Sequence, residues 1–176
     1  MAILIVFTII LVAFAVFFVI QFFNIIFRGF APFVSTKPEV LEKILNEIKL
    51  NQGDKVLELG CGKAGFLRAI EEKFPGSKLL GVEYSYWPWL ITKIQLAISR
   101  SKIRLHKKNI LKVPFGDSDL IYCYLNVKTM ARLAHKLRSE GKKGATVVSY
   151  AFPILEFSPV KVIELTDKSK IYFYTL

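Results

Sequence analysis

The stretch Glu58-Leu59-Gly60-Cys61-Gly62-Lys63-Ala64-Gly65 concentrates residue types that hold a nucleotide-like ligand. Glycines at 60, 62 and 65 let a backbone turn tightly and come close to what it binds. Glu83 closes the next apolar run, where a carboxylate accepts both hydroxyls of a ribose. The spacing satisfies Gly-x-Gly-x-x-Gly, so a nicotinamide dinucleotide is one candidate ligand. Glu58 speaks for a different one. A dinucleotide places a doubly charged pyrophosphate over such a turn, and a neighbouring carboxylate repels it. S-adenosylmethionine carries no phosphate, and its ammonium and sulfonium are positive, so Glu58 attracts it. Lys63 acts mildly in the opposite sense. S-adenosylmethionine is therefore the expected cofactor, with a dinucleotide and a non-binding turn as the alternatives.

Other reactive residue types are sparse. Cys61 and Cys123 form no Cys-x-x-Cys pair and no metal-ligand pattern, and a reducing compartment suits them. His106 and His135 are isolated, so no metal is expected.

The elements that must position the turn follow from periodicity. Pro38 to Leu50 carries Val40, Leu41, Ile44, Leu45 and Ile48 at helical spacing behind an initial proline. Lys55–Leu59 reads as a strand, followed by the glycine turn and a helix to about Lys73. Strands are expected at Leu79–Glu83, Ile103–His106, Leu120–Tyr124 and Ala145–Ser149, with helices near Trp87–Ser99 and Val127–Arg138. Val160–Leu165 and Ile171–Tyr174 form a terminal antiparallel pair. This alternation predicts an α/β, Rossmann-like sheet, mostly parallel, with helices on both faces. Ligands of such sheets lie beyond the carboxyl ends of the strands.

Ahead of this domain, Ala2–Phe27 is a run of 26 residues without a charge. As a helix it reaches about 39 Å, against about 30 Å of hydrocarbon core, so it spans a bilayer with tilt. A cleaved signal peptide is the rival reading, since Ala13-Phe14-Ala15 resembles a cleavage site. The apolar run nevertheless continues for a dozen residues past that site, and no Lys or Arg precedes it. A retained single-pass anchor is expected at 1–27, a linker at 28–37 and the α/β domain at 38–176. The formal charge of +11 falls wholly after residue 27. Arg28 and the basic domain therefore place the C-terminal side in the cytoplasm. A basic surface suits the lipid bilayer or an acidic partner. The basic residues are spread out, which disfavours a dedicated nucleic-acid site.

At Glu58-Leu-Gly-Cys-Gly62 with Glu83 following, the chain resembles class I, seven-strand S-adenosylmethionine-dependent methyltransferases. Within that class, Pro32-Phe33-Val34-Ser35-Thr36 is similar to a Pro-aromatic-Val-Pro-Thr/Ser element of small archaeal protein-lysine methyltransferases and their mitochondrial membrane-associated relatives. Those relatives modify lysines of the ATP synthase c-subunit and the adenine nucleotide translocase. Gly81-Val-Glu-Tyr84 with Pro88-Trp89-Leu90 resembles their Gly-x-Glu-x…Pro-Trp-Leu stretch. Val147–Pro153 and Phe157-Ser-Pro159 resemble their fifth-strand segment. The chain departs from the pattern at Lys63-Ala64, where Asp-Gly is common, and at Ser35, where Pro is common.

The resemblance implies that Phe33, Ser35 and Thr36 close over the cofactor. Gly60, Cys61 and Gly62, beside Glu58, cradle its methionine moiety. Glu83, with Tyr84 beside it, holds the ribose, and Asn109 and Ile110 flank the adenine. It also implies transfer of a methyl group to a lysine of a membrane-associated protein, such as an ATP synthase c-subunit. A lysine must lose its proton first, since its free pKa is about 10.4, and desolvation lowers that value. Tyr124, Asn126 and Tyr150 follow strands four and five and form the natural acceptor-side wall; packing and capping roles compete with orientation of the amine. Other functions consistent with the chain are a lipid or small-molecule methyltransferase, a non-catalytic cofactor-binding scaffold and a membrane-bound RNA methyltransferase.

Overall fold

The computed structural model describes residues 1–28 and 35–176, with side chains for 1–20 and 35–176. The chain divides into two units, Met1–Val34 and Ser35–Leu176.

The first unit is one helix, α1 (Ala2–Arg28). Its segment Ala2–Ile20 is long and apolar enough to cross a membrane, a measure that a signal sequence also meets. Thr8 is the one hydrogen-bonding side chain among residues 2–20, and its hydroxyl donates back to the Leu4 carbonyl at 2.9 Å. Over residues 2–20 the helix therefore satisfies its own polar groups, as a bilayer demands.

The second unit begins with α2 (Pro38–Glu47), β1 (Lys55–Leu59), α3 (Gly65–Lys73) and β2 (Lys78–Glu83). It continues through α4 (Tyr86–Ile98), β3 (Arg104–Lys107), a single 3-10 turn (Ile110–Lys112) and β4 (Leu120–Cys123). α5 (Val127–Glu140), β5 (Thr146–Tyr150), β6 (Lys161–Glu164) and β7 (Lys170–Thr175) complete it. The strands form one seven-stranded sheet in the order β3-β2-β1-β4-β5-β7-β6. β1 to β5 run parallel, and β7 pairs antiparallel with both β5 and β6. The chain reverses its direction of winding between β1 and β4, which opens a crevice at their carboxyl ends.

Period-two alternation sorts the strand residues between two cores. Val56, Leu120, Tyr122 and Val148 pack against α2 and α3 through Val40, Ile44 and Phe66. Leu57, Leu59, Ile121 and Val147 pack against Met130 and Leu133 of α5. The Rossmann-like architecture with helices on both faces is as expected from the sequence. Most element ends shift by a residue or two, and two of the shifts matter here. α2 ends at Glu47 rather than Leu50, because Ile48 is already extended (ψ 149°) while its side chain stays in the core. Its apolar periodicity thus outlasts the helix. β4 ends at Cys123, releasing Tyr124 above the sheet.

Candidate functional site

The loop from β1 to α3 is bent by successive left-handed residues: Gly60 (φ 72°), Gly62 (φ 49°) and Ala64 (φ 55°). The amides of Gly60 and Cys61 both donate to the Val82 carbonyl, at 2.8 and 3.0 Å, which ties the turn to the end of β2. A Cβ at Gly60 would stand 2.8 Å from Leu125 Cδ2, so glycine is required there twice over. Ala64 stands where the resemblance leads one to expect glycine. It adopts the same left-handed backbone at a cost of about 1–2 kcal/mol, and its methyl is fully buried in the α2–α3 core.

Glu83 is the hub of this loop. Its Oε2 accepts from the Gly62 amide at 3.1 Å and its Oε1 from the Ser85 amide at 2.7 Å. Gly62 is held from its other end as well, since the buried Thr92 hydroxyl donates to its carbonyl at 2.6 Å. Sequence reasoning missed Thr92. Its signal was a hydroxyl one turn before Leu96 on the inward arc of α4. Gly81 likewise matters beyond its place in a motif: a Cβ there would meet Cys61 Sγ at 2.8 Å, so its hydrogen leaves room for the turn to seat on β2.

Glu58 lies at the carboxyl end of β1 and is only 5% exposed. Its Oε2 accepts from the Leu67 amide in the first turn of α3, at 3.3 Å. Burial, reinforced by the charge of Glu83, pushes its carboxyl up to about 8. Two buried carboxyl groups bracketing one glycine turn fit a cationic ligand, whose charge favours the ionised form of Glu58, and offer no counter-charge to a pyrophosphate. The donor set therefore suits the methionine end of S-adenosylmethionine. Cys61, between them, is held as a neutral thiol because burial raises its pKa. Burial likewise pushes Cys123 up to about 12.

The segment before α2 reaches the same place. The Thr36 hydroxyl lies 2.7 Å from the Tyr122 hydroxyl. Tyr122 is aligned with Glu58 across the β1–β4 pair and stacks on Phe66 with ring centroids 4.2 Å apart. Lys37 pairs with Asp167 in the β6–β7 turn at 2.7 Å, and Ser35 is exposed. Phe33 lies outside the described residues. Sequence reasoning also missed Tyr122, whose signal was its strand parity with Glu58. Thr36→Val is expected to cost about 1–3 kcal/mol in urea denaturation, because it strands a buried hydroxyl. Adding Tyr122→Phe to that variant should recover most of the loss.

The strand after α4 delivers a third component. The Lys108 amide donates to the Glu83 carbonyl at 3.1 Å. Asn109 follows, and its Oδ1 accepts from the Leu111 amide at 2.9 Å, capping the 3-10 turn that Ile110 opens. Tyr84 is exposed, between Glu83 and α4.

On the acceptor side, the rings of Tyr124 and Tyr150 pack 4.5 Å apart. The Tyr150 hydroxyl lies 3.4 Å from Ser169 Oγ. Burial raises the pKa of Tyr124, so it offers a neutral hydroxyl and not a phenolate. The Asn126 Oδ1 accepts from the Thr129 amide at 2.9 Å and caps α5.

A family model described as the ANTKMT methyltransferase domain matches residues 58–161. The chain is 26% identical over 155 residues to a protein-lysine N-methyltransferase of Saccharolobus islandicus, covering 82% of this chain and 93% of that one. It is 27% identical over 146 residues to the adenine nucleotide translocase lysine N-methyltransferase of Mus musculus, covering 80% of this chain and 62% of the mouse protein. Among solved structures, the fold is similar to an RNA methyltransferase from Salinibacter ruber in complex with S-adenosyl-L-homocysteine. That similarity has a TM-score of 0.73 at 18% identity and covers 81% of this chain and 93% of the other.

Proposed function

The chain belongs to the ANTKMT methyltransferase domain family and is an S-adenosylmethionine-dependent protein-lysine N-methyltransferase; from that premise we propose that α1 anchors it in a membrane, with the catalytic domain on the cytoplasmic side, and that its substrate is a membrane-associated protein such as an ATP synthase c-subunit. The observation that carries the cofactor assignment to residues is the pair of buried carboxylates, Glu58 and Glu83, on either side of the Gly60–Gly62 turn. In this reading Gly60, Cys61 and Gly62 receive the methionine end and Glu58 balances its charge. Glu83 takes the ribose hydroxyls with Tyr84 alongside, Asn109 and Ile110 border the adenine, and Thr36 and Ser35 close the site.

Bound S-adenosylmethionine supplies an electrophilic methyl whose leaving group is a neutral thioether. The protein's task is then to present a neutral lysine amine in line with that methyl. The Tyr124–Tyr150 pair lines an aromatic approach that strips water from the ammonium and favours its neutral form. The Tyr124 hydroxyl, the Tyr150 hydroxyl and the Asn126 amide orient the amine without a formal base. Tethering to a membrane raises the local concentration of embedded substrates.

Incubation of the full chain with labelled cofactor and membranes, followed by mass spectrometry, tests this reading. Methyl-lysine on a membrane protein is expected, and Glu83→Ala should abolish it. Label in lipid or in small molecules would redirect the assignment of substrate, and absence of turnover despite stoichiometric cofactor binding would identify a scaffold.

A further inference from the structure

α4 is apolar on two opposite arcs. Thr92 and Leu96 face the sheet and are buried. On the outward side Trp87, Ile91, Ile94 and Ile98 recur at spacings of four, three and four, so they share one narrow stripe. They are 53%, 49%, 51% and 79% exposed. Four large apolar side chains in line on the surface of a small domain are not the scattered kind that needs no explanation. A helix apolar all round is normally buried by something.

The charge around the stripe indicates what covers it. Residues 84–116 contain seven Lys or Arg and no Asp or Glu, against a net charge of +11 for the whole chain. All seven are exposed, and no ion pair among the described residues engages them. Lys93 lies over the Trp89 ring and Lys107 over the Tyr86 ring, each 4.9 Å from the centroid. Both ammonium groups are thereby held against aromatic faces. An isoleucine stripe, a Tyr and Trp cluster at one end and a surrounding segment whose only charges are cationic are the components of an interfacial membrane helix. Phosphate backbones would use the cations and leave the isoleucines in water, and an acidic protein groove would require no aromatic belt.

We propose that the outer face of α4 docks the methyltransferase domain onto an anionic lipid surface. The docked helix begins three residues after Glu83, so docking would hold the cofactor crevice close to the bilayer, where an embedded lysine is presented. This deepens the membrane reading above and rests on it only for the presence of a bilayer.

The two tryptophans of the chain, Trp87 and Trp89, both lie in α4 and are a built-in probe. Full-length protein would be mixed with vesicles of phosphatidylcholine alone, or with roughly 30% phosphatidylglycerol, each with brominated acyl chains. Flotation and tryptophan quenching are then read together. Quenching with anionic vesicles is expected, with little in neutral ones. It should be lost in the triple variant Ile91→Ser, Ile94→Ser, Ile98→Ser, whose exposed positions spare the fold. Raised ionic strength should lower the docked-to-undocked ratio, about fivefold for each cation screened from the surface. Flotation with both lipids but no quenching in either would overturn docking while leaving the α1 anchor standing. Flotation and quenching only with anionic lipid would support docking and remove the anchor. Tryptophans shielded without lipid, at doubled molecular mass, would overturn the inference in favour of a second copy. Salt-sensitive RNA binding without lipid quenching would overturn it in favour of nucleic acid.

Discussion

Glu83→Ala is expected to lower S-adenosylmethionine affinity by about a hundredfold to ten-thousandfold. In the proposed reading Glu83 makes two charge-assisted hydrogen bonds to ribose hydroxyls, which would contribute about 1.5–3 kcal/mol each, and every 1.4 kcal/mol is about tenfold in affinity. The same substitution removes the acceptor that holds the Gly62 and Ser85 amides, so the turn loses its internal anchor along with its ligand contact. Glu83→Gln retains one oxygen and should fall between the two. Calorimetric titration with the cofactor, alongside circular dichroism to verify the fold, measures both. Unchanged affinity in Glu83→Ala would remove Glu83 from the binding site.

Glu58→Gln is expected to stabilise the cofactor-free protein at high pH and weaken cofactor binding. The Glu58 carboxyl stands at about 8 in the fold, against an ordinary 4.5. Between those values the folded chain holds a proton that the unfolded chain has released, so wild-type stability falls as pH rises through that window. Below it wild type and variant should match. Above it the variant should be more stable by on the order of 5 kcal/mol, at about 1.36 kcal/mol per pKa unit. Gln preserves the acceptor for the Leu67 amide, so packing is little disturbed. A cationic ligand beside Glu58 favours the carboxylate and expels that proton. Binding at pH 7 measured calorimetrically in two buffers of different ionisation enthalpy should show proton release in wild type and none in Glu58→Gln. Parallel stability profiles for the two proteins would show that Glu58 ionises freely in the fold.

The glycine turn, Glu58 and Glu83 were legible in the sequence because their chemistry is local. Left-handed turns favour glycine, the proposed ribose carboxylate ends its strand, and both lie within 26 residues of chain. The alternation of strands and helices and the two-sided core followed from periodicity for the same reason, whereas the strand order came only from the fold. The 26-residue uncharged run is equally a property of sequence, since length and charge alone make α1 long and apolar enough to span. Three features were decided only in three dimensions. Thr36 meets Tyr122 across 86 positions, and Thr92 grips Gly62 across 30, because parallel strands joined by crossover helices bring distant segments to one edge of the sheet. Glu58 becomes a proton-holding acid only through its burial beside Glu83, which no residue type announces. The stripe on α4 reads as core by its spacing. It takes the packed fold, with Thr92 and Leu96 already turned to the sheet, to show that Trp87, Ile91, Ile94 and Ile98 face outward.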